Sequence, residues 1–533
     1  MSKRFGPEEE DIVLRFGGGI NSRASEDEIN PREAAYGQNF ILDLKNSALR
    51  NREPFDLIGT VPNAGAINGF ASLLKSDGTV SLLVQGGTVV YEWSGTAFSA
   101  SKGTVASGTK IRGRIEQNWQ LDDLVIITDL ALKQPLMQWD GTTLSNISFK
   151  NETGSTAWTG EFRAKYCVIE NERMIVANIY DNGANFPHLI VGSQSGAYDV
   201  ITVNQRPSTA LADDDPFFLI QPDYRAINGM VLAFDTIVTS SIKGTLFNIS
   251  GASAQDFAMD KFFANSGASG DEALIFVGND VIFGLDGKIE SLKQTNTNFD
   301  VEQAVLSNPI SDQIENFTNW TLTYNNRTQR VHCISTLAAY DFVLHKPLLN
   351  TEISPWMKYA TVHASAFQPT AIMNAYDPAN GLEYIFFGDS SGNVYRMEGT
   401  GTSGDGGTAN IFTTRRSPMF LAKLDATIYQ MNGWIRYRAS SDINITFKIL
   451  SAGFLVFDSV ETITLPASTQ YAVYRGGIYY ADSHYYRESL NARLRRERFV
   501  VAAGTNEYQV EVQYDGTSSI DIQEIGFRLQ ASA

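Results

Sequence analysis

The chain has 533 residues, enough for two or three domains that each bury a sizeable core. Its 59 acidic residues outnumber 42 basic ones, and the formal charge of −17 argues against a general DNA-binding role, because binding to duplex DNA depends on Lys and Arg neutralising phosphates. Aromatic residues make up 11% and there are 44 glycines without long Ala/Leu/Glu/Lys runs, so the composition indicates a turn-rich, mostly β protein.

The N-terminal segment contains strand and helix signals. Residues 1–11 are polar and charged, which predicts a loose arm, and a strand around Leu14 then runs into three consecutive glycines. Asn30-Pro31-Arg32-Glu33 has a capping residue, a proline at the first helical position and an acid in the first turn. The pattern predicts a short helix over 31–38, followed by strands that run through residues 49–54.

One short stretch occurs twice. Tyr91-Glu92-Trp93-Ser94-Gly95-Thr96 returns as Met137-Gln138-Trp139-Asp140-Gly141-Thr142, so the two tryptophans are 46 residues apart. A Ser-Gly or Asp-Gly pair between β-prone runs is typical of a tight hairpin, because glycine adopts the positive φ that such turns need. A period in the forties with several strands per period predicts a β-propeller.

The propeller is predicted over residues 55–400. Units of strands separated by Gly, Asn or Asp turns cover 55–105, 108–155, 160–206, 217–265, 270–310 and 317–400. Further hairpin turns are expected at Ser76-Asp77-Gly78-Thr79, Asp286-Gly287-Lys288 and Ser391-Gly392-Asn393. The last unit is long enough for two blades, so the sequence leaves six and seven blades open.

The strand pattern changes after residue 400. Residues 401–410 are a Gly-rich linker, and 411–533 contain longer alternating strands such as Asn444–Ile449 and Tyr508–Gln513. The predicted fold is therefore all-β, a propeller of six or seven blades with a C-terminal β-sandwich platform domain. Residues 1–54 are expected to pack, as arm, strand and short helix, onto the propeller or the platform.

The order of these motifs carries a resemblance. Six features occur in this order: Gly18-Gly19-Ile20-Asn21, Pro31-Arg32-Glu33-Ala34 leading to Asn39, Leu49-Arg50-Asn51-Arg52-Glu53-Pro54, the propeller, the stretch Phe386–Tyr395 and an aromatic-rich C-terminal domain. In this order the chain resembles the tail nozzle proteins of short-tailed bacteriophages, also called tail tubular or tail hub proteins. Asn51 stands where that family is expected to have glycine.

The resemblance implies a structural protein of the virion tail. It would form a homohexameric ring below the portal and its adaptor ring, extend the DNA channel, retain the genome and pass it during ejection, and carry tail fibres or spikes outside. Double-stranded DNA would pass through the lumen without sequence-specific binding, since an acidic wall repels phosphates. The chain has no membrane-length apolar run, so no membrane insertion is expected.

Two charged segments are candidate sites. Asp213, Asp214 and Asp215 are candidates for the channel wall, with a solvated outer loop as the alternative. A basic group near the C-terminus is the candidate subunit or adaptor interface, because Arg and Tyr are enriched in interfaces; its members are Tyr485, Tyr486, Arg487, Arg493, Arg495, Arg496 and Arg498. On a strand Arg493 and Arg495 share one face while Arg496 and Arg498 share the other, so an edge strand kept soluble by charge is the alternative.

No residue pattern predicts catalysis, a cofactor or a metal. The five histidines (His188, His332, His345, His363 and His484) are scattered, and no nucleophile motif or phosphate-binding loop is present. Cys167 and Cys333 lie in apolar runs and are expected to be buried free thiols. The chain is therefore not expected to be an enzyme, although propellers also carry glycan-degrading enzymes. The alternative function is a receptor- or glycan-binding propeller of the tail tip, with long loops as its binding face.

Overall fold

The computed structural model describes residues 9–14, 16–25, 28–43, 48–114, 120–121, 123–202, 212–242, 244–264, 266–294, 301–335, 341–349, 351–360, 369–399, 405, 411–421, 428–451, 459–465, 493–499, 507–518 and 520–531. Within these residues nearly all regular structure is strand, and the helical part is limited to α1 (Ser311–Ile314) and two 3-10 turns, Asn308–Ile310 and Lys346–Leu348. The all-β prediction is confirmed.

Five short strands come first in the chain. They are β1 (Glu9–Leu14), β2 (Tyr36–Gln38), β3 (Phe40–Asp43), β4 (Ala48–Asn51) and β5 (Asp56–Thr60). The helix predicted over 31–38 is wrong: the side chain of Asn30 accepts from the amide of Arg32 at 3.0 Å, one turn follows, and β2 begins at Tyr36. The same capping residues start a single turn and a helix. Here residues 36–38, which would continue the helix, pair instead with a distant strand, residues 414–416.

The described residues form seven four-stranded antiparallel blades, with blades 1 and 2 joined into one sheet. Blade 1 consists of β6 (Ile67–Leu74), β7 (Val80–Gly86), β8 (Val89–Trp93) and β9 (Gly103–Thr104), and blade 2 of β10 (Ile111–Gly113), β12 (Leu124–Asp129), β13 (Met137–Trp139) and β14 (Leu144–Asn146), with β11 (Gln120–Leu121) beside β12. Blade 3 consists of β15 (Phe162–Glu170), β16 (Arg173–Asp181), β17 (Ala184–Gly192) and β18 (Phe217–Ile220), blade 4 of β19 (Ile227–Ala233), β20 (Thr236–Ser241), β21 (Thr245–Ser250) and β22 (Ala258–Ala264), and blade 5 of β23 (Leu274–Val277), β24 (Asp280–Leu285), β25 (Lys288–Gln294) and β26 (Val301–Val305). Blade 6 consists of β27 (Trp320–Asn325), β28 (Arg330–Ser335), β29 (Asp341–His345) and β30 (Trp356–Tyr359), and blade 7 of β31 (Ala371–Tyr376), β32 (Glu383–Gly388), β33 (Asn393–Arg396) and β5.

The blades form a closed ring. The first strands of successive blades contact one another, β10 and β12 together link blades 1 and 3, and β31 returns to β6. Blade 7 takes its outermost strand from the N-terminal segment, because β5 pairs antiparallel with β33. The ring is thus closed by pairing a strand from the N-terminal segment with the last blade.

The structure decides between the blade numbers that the sequence left open. The predicted unit 317–400 consists of two blades, one over β27–β30 and one over β31–β33 with β5. The predicted unit that begins at 217 is displaced, since β18 is the outer strand of the preceding blade. The expected turns at 76–79, 286–287 and 391–392 connect paired strands as predicted.

The repeated tryptophans occupy the same place in consecutive blades. Trp93 ends β8 and Trp139 ends β13. The indole N–H of Trp93 donates to Asp377 of blade 7 at 3.4 Å, and that of Trp139 donates to Ser81 of blade 1 at 3.0 Å. Each tryptophan therefore fills the space between its own blade and the preceding one, where an aromatic ring buries a large apolar area.

In the described residues, the remaining eight strands form two six-stranded sheets together with β1–β4. They are β34 (Ile411–Arg416), β35 (Phe420–Leu421), β36 (Ile428–Ala439), β37 (Ile443–Ser451), β38 (Ser459–Leu465), β39 (Arg493–Phe499), β40 (Glu507–Gly516) and β41 (Ile520–Ala531). One sheet has the order β3-β4-β41-β36-β39 with β1 also on β41, and the other has β2-β34-β40-β37-β38 with β35 on β40. We call these two sheets the platform. Their arrangement as a face-to-face sandwich stays a prediction.

The N-terminal segment is part of the platform. Glu9–Leu14, predicted in part to be a loose arm, pairs with β41 along its whole length, and β2 pairs with β34; residues 1–8 lie outside the described part. The predicted boundary at residue 411 therefore separates strands that share sheets. Of the predicted linker 401–410, only Asp405 is described, and it is buried.

Candidate interface and channel residues

The predicted arginine interface is on an edge strand. Arg493, Arg495, Arg496 and Arg498 belong to β39, which in the described residues pairs only with β36. The pairing continues without a bulge from Arg493, opposite Tyr437, to Phe499, opposite Met431. Tyr485, Tyr486 and Arg487 lie outside the described residues, and the interface role stays a prediction.

The acidic loop of the predicted channel wall is held by a buried cation. The guanidinium of Arg173, which is 1% exposed, donates to the carbonyl oxygens of Asp213, Asp214 and Asp215. Burial lowers the pKa of Arg173, and the charges of Asp214 and Asp215 oppose this shift. Because the backbone carbonyls bind the arginine, the Asp213 and Asp214 side chains stay exposed. Their position relative to a channel stays a prediction.

The axis of the propeller is closed by an ion pair between distant blades. Arg112 on β10 binds Glu272, just before β23, with Nε–Oε1 2.7 Å and Nη2–Oε2 2.9 Å. Arg114 also binds Glu272. Blades 3 and 4 lie between these residues on one side of the ring and blades 6, 7 and 1 on the other, so the contact crosses the axis.

A second carboxylate lies beside this ion pair. The hydroxyl of Tyr166 donates to Asp271 at 3.1 Å, and Lys165 lies 3.2 Å from the same carboxylate. The cavity between these groups has about 10 Å³, roughly the space of one water. Burial alone would raise the pKa of Glu272, but the two arginines lower it to about 2, so this carboxylate stays charged. Because the contact of Arg112 with Glu272 crosses the axis, the described residues leave no passage for duplex DNA along it.

The junction between propeller and platform is organised around Arg52. Its guanidinium is 1% exposed and binds both oxygens of Asp405, with Nη1–Oδ1 2.7 Å. Its Nε donates to the side chain of Asn39 at 2.8 Å, and Nη2 donates to the carbonyl of Ala360 at the end of blade 6. The guanidinium also lies 4.0 Å from the centre of the Phe55 ring.

The glycines of the N-terminal motif face the same junction. The amide of Gly19 donates to Ser354 at 2.8 Å and that of Ile20 to Trp356 at 2.7 Å. A Cβ on Gly19 would collide with the backbone of Trp356, so only glycine allows this approach. Glu33 is 3% exposed and accepts from the amide of Ser354, which links the turn at 31–33 to blade 6.

A buried group of charges continues from this junction into blade 6. Arg330 binds Glu398 at 2.5 Å, and His332 lies 2.5 Å from Asp341 and 3.7 Å from Glu398. Burial alone would lower the pKa of His332, but the two carboxylates raise it to about 9. Burial likewise opposes the charge of Glu398, yet Arg330 and His332 hold its pKa well below the usual range. The sequence did not single out this histidine, because its partners lie on β29 and in the turn after β33.

The described residues contain no group of three or more metal-ligating side chains. His332 is enclosed by its ion partners, and the pKa of His345 is lowered to about 4 by burial and by Arg330, with Glu398 opposing. Cys167 and Cys333 are free and buried, as predicted. Within the described part of the chain, the helices are all too short to cross a membrane.

Comparisons with known proteins find distant similarities only. No family model and no curated protein matches the chain. The β-propeller domain of Cps50 (Swd1) from Myceliophteria thermophila is 10% identical, with 65% of this chain and 100% of that chain covered and a TM-score of 0.40. The WD40 domain of Neurospora crassa Pan2 is 10% identical (65% and 94% covered, TM-score 0.38), and that of Toxoplasma gondii coronin is 10% identical (68% and 86%, TM-score 0.36). Similarities of this size say nothing about function.

Proposed function

We propose that the chain is a structural protein of a virion, a subunit of the tail nozzle of a short-tailed bacteriophage. Six copies would form a ring below the portal and adaptor, extend the DNA channel, retain the genome and pass it during ejection. Fibres or spikes would attach outside the ring. We propose no enzymatic activity and no cofactor.

The observation that carries this proposal is the junction. The motifs on which the resemblance rests, at 18–21, 31–34 with Asn39, and 49–54, meet at one buried site that joins blade 6 to the platform. Residues in such a site do no chemistry on a ligand; they fix one unit against another. A component that must keep a ring and a channel aligned needs a fixed relation of this kind.

The closed propeller axis fits the same role. With Arg112 and Arg114 bound to Glu272 across the axis, the DNA path of a nozzle would lie between copies of the chain, at the axis of the hexamer. The net charge of −17 per copy disfavours adhesion of DNA to such a wall. Asp213, Asp214 and Asp215 remain our candidates for residues facing it.

One observation favours the alternative, a receptor- or glycan-binding propeller of the tail tip. Tyr224 is 68% exposed on a loop, and its ring centre lies 5.4 Å from that of His188. Exposed aromatic rings on propeller loops are suited to binding sugars or apolar side chains.

The two functions are distinguished by the mass of the purified full-length protein. Light scattering at several concentrations, with and without the adaptor or portal assembly of the same phage, should give a mass near six copies, alone or once the adaptor is present. A monomer that ignores the adaptor but binds host cells would refute the nozzle and support the receptor-binding propeller.

A further inference from the structure

One sheet of the platform has oppositely charged strands at its two edges. At one edge, β39 has the sequence Arg-Leu-Arg-Arg-Glu-Arg-Phe over residues 493–499. At the other edge, β1 has the sequence Glu-Glu-Asp-Ile-Val-Leu over residues 9–14. Four arginines against one glutamate make β39 basic, and three acidic residues without a basic one make β1 acidic. The two strands are therefore complementary in charge.

Both strands have one side that is open to a further strand. Among the described residues, β39 pairs only with β36 and β1 only with β41. The edge strand of the other platform sheet, β38, contacts β39 but does not pair with it. On β1, the apolar side chain of Val13 is 40% exposed. An edge of this kind presents backbone N–H and C=O groups that a strand from another chain can bind.

The two edges run in opposite directions and lie at the same level of the sheet. Each step from β39 through β36 and β41 to β1 is antiparallel. One row of directly opposite residues crosses all four strands, through Arg498, Asn432, Arg528 and Asp11. A second copy that continues the sheet in the same orientation would therefore add its β39 antiparallel to β1. Without a stagger, its Arg498 would lie opposite Asp11.

We propose that β39 of one copy adds to β1 of the next copy, so that this platform sheet continues from subunit to subunit. The charges select this pairing. Two β39 strands side by side, or two β1 strands, would place like charges together, whereas β39 beside β1 brings basic residues to acidic ones. A contact between two different surfaces of the same subunit is head-to-tail, and repeated head-to-tail contacts form a ring when the rotation closes. This inference rests on the proposed ring and names the strands that join its subunits.

The pairing has two sources of stabilisation. In the continued sheet, Asp11 would stand between Arg528 of its own copy and Arg498 of the next, and cross-strand pairs of opposite charge stabilise a sheet. The backbones of β1 and β39 would also gain hydrogen bonds with each other. Strand addition over six residues is a small contact, so two free copies should bind weakly and the closed ring should gain from repeating the contact.

The first test reverses the charges of each edge in the full chain. The Arg496→Glu/Arg498→Glu variant should need about tenfold more protein than the wild type to assemble, measured by analytical ultracentrifugation. The Glu10→Lys/Asp11→Lys variant should show the same loss. The chain with all four changes should recover assembly, because its edges are again complementary. Lys288→Glu, at an exposed residue of blade 5, is the matched control and should assemble normally.

The recovery separates attraction between edges from damage to the fold. Asp11→Lys also places a cation opposite Arg528 of the same chain, so the melting temperature of each variant is recorded beside its assembly. Assembly that returns in the chain with four changes cannot be explained by a more stable fold. Assembly of the wild type should also weaken as the salt concentration rises, because salt screens exposed charges.

The second test identifies the partner strand. Asp11→Cys and Arg498→Cys in one chain should give a ladder of disulfide-linked oligomers on oxidation, because opposite residues of paired strands have Cα atoms about 4.5–5.5 Å apart. Within one copy the two positions are three strand spacings apart, about 14 Å, which is too far for a disulfide. Glu9→Cys or Val13→Cys in place of Asp11→Cys tests the neighbouring registers. The native cysteines are buried and do not interfere.

Two results of this test would overturn the proposal. One is the absence of linked oligomers in all three registers under conditions in which the protein assembles. The other is the formation of linked dimers by Arg498→Cys alone, which would show a symmetric contact between two β39 strands.

Further outcomes separate this inference from the proposed function. Wild-type rings, together with normal assembly of both charge-reversed variants, would overturn the edge contact and leave the nozzle intact. The charge of β39 would then serve only to keep an edge strand soluble. A wild type that stays monomeric at every concentration, with and without the adaptor, would overturn the proposed function and this inference with it.

Discussion

Replacing Arg52 by Met should strongly destabilise the junction between propeller and platform. The guanidinium of Arg52 contacts both oxygens of Asp405 and the oxygens of Asn39 and Ala360, and all of it is buried. In the variant, the carboxylate of Asp405 loses the guanidinium and keeps the hydrogen bond that the backbone amide of Phe55 donates to it at 3.0 Å. Removing one member of a buried ion pair costs about 3–5 kcal/mol, because the other charge stays out of water.

The loss is measured as the free energy of unfolding in urea, followed by tryptophan fluorescence. Lys150→Met is the matched control: Lys150 pairs with Asp199, but the two side chains are 46% and 27% exposed, so less than about 1 kcal/mol should be lost. Adding Asp405→Leu to Arg52→Met should recover part of the stability, because the unpaired charge is then gone. An Arg52→Met variant within about 1 kcal/mol of the wild type would refute the role of this ion pair.

Three further predictions concern the other buried sites. Burial would lower the pKa of His332, but its carboxylate neighbours raise it from 6.5 to about 9, so the stability that the charged ring contributes is full below pH 6.5 and is lost by about pH 9. Denaturation at several pH values should show this loss as a falling free energy of unfolding. The His332→Asn variant should lack this pH dependence and be less stable than the wild type by roughly 3 kcal/mol at pH 6.5. On the acid side, burial would raise the pKa of Glu272, but Arg112 and Arg114 lower it from its usual 4.5 to about 2, so the free energy of unfolding of the wild type should fall between pH 4.5 and 2. The Glu272→Gln variant should be less stable than the wild type at neutral pH and should lose much less stability over this range. Gly19→Ala should lower the melting temperature far more than Gly78→Ala, because a Cβ meets the backbone of Trp356 at the first site and open space at the second, where only φ +84° opposes it; equal effects would contradict the close approach.

The sequence predicted those parts of the fold that local patterns encode. The turns after Trp93 and Trp139 need only turn residues between β-prone runs, and both form where expected: Trp93 bridges Phe98, and Trp139 on β13 pairs with Leu144 on β14. The same kind of pattern located most blade turns. The linker, in contrast, was inferred from glycine content, which says nothing about Asp405. A single buried carboxylate in a flexible composition becomes informative only when its partner, 353 residues away, is known.

The N-terminal segment shows why long-range pairing was missed. The signals at Asn30 and Pro31 fit a helix start, but they fit an isolated turn equally well, and the choice depends on whether β34 is available to pair with Tyr36–Gln38. The closure of the propeller was missed for the same reason. Pro62 and Pro222 begin equivalent turns, and each turn follows the outer strand of a blade, whereas the predicted units at 55 and 217 both began with that strand. An outer strand and a first strand have the same local pattern, so only the pairing partner, β17 for β18 and β33 for β5, shows to which blade each strand belongs.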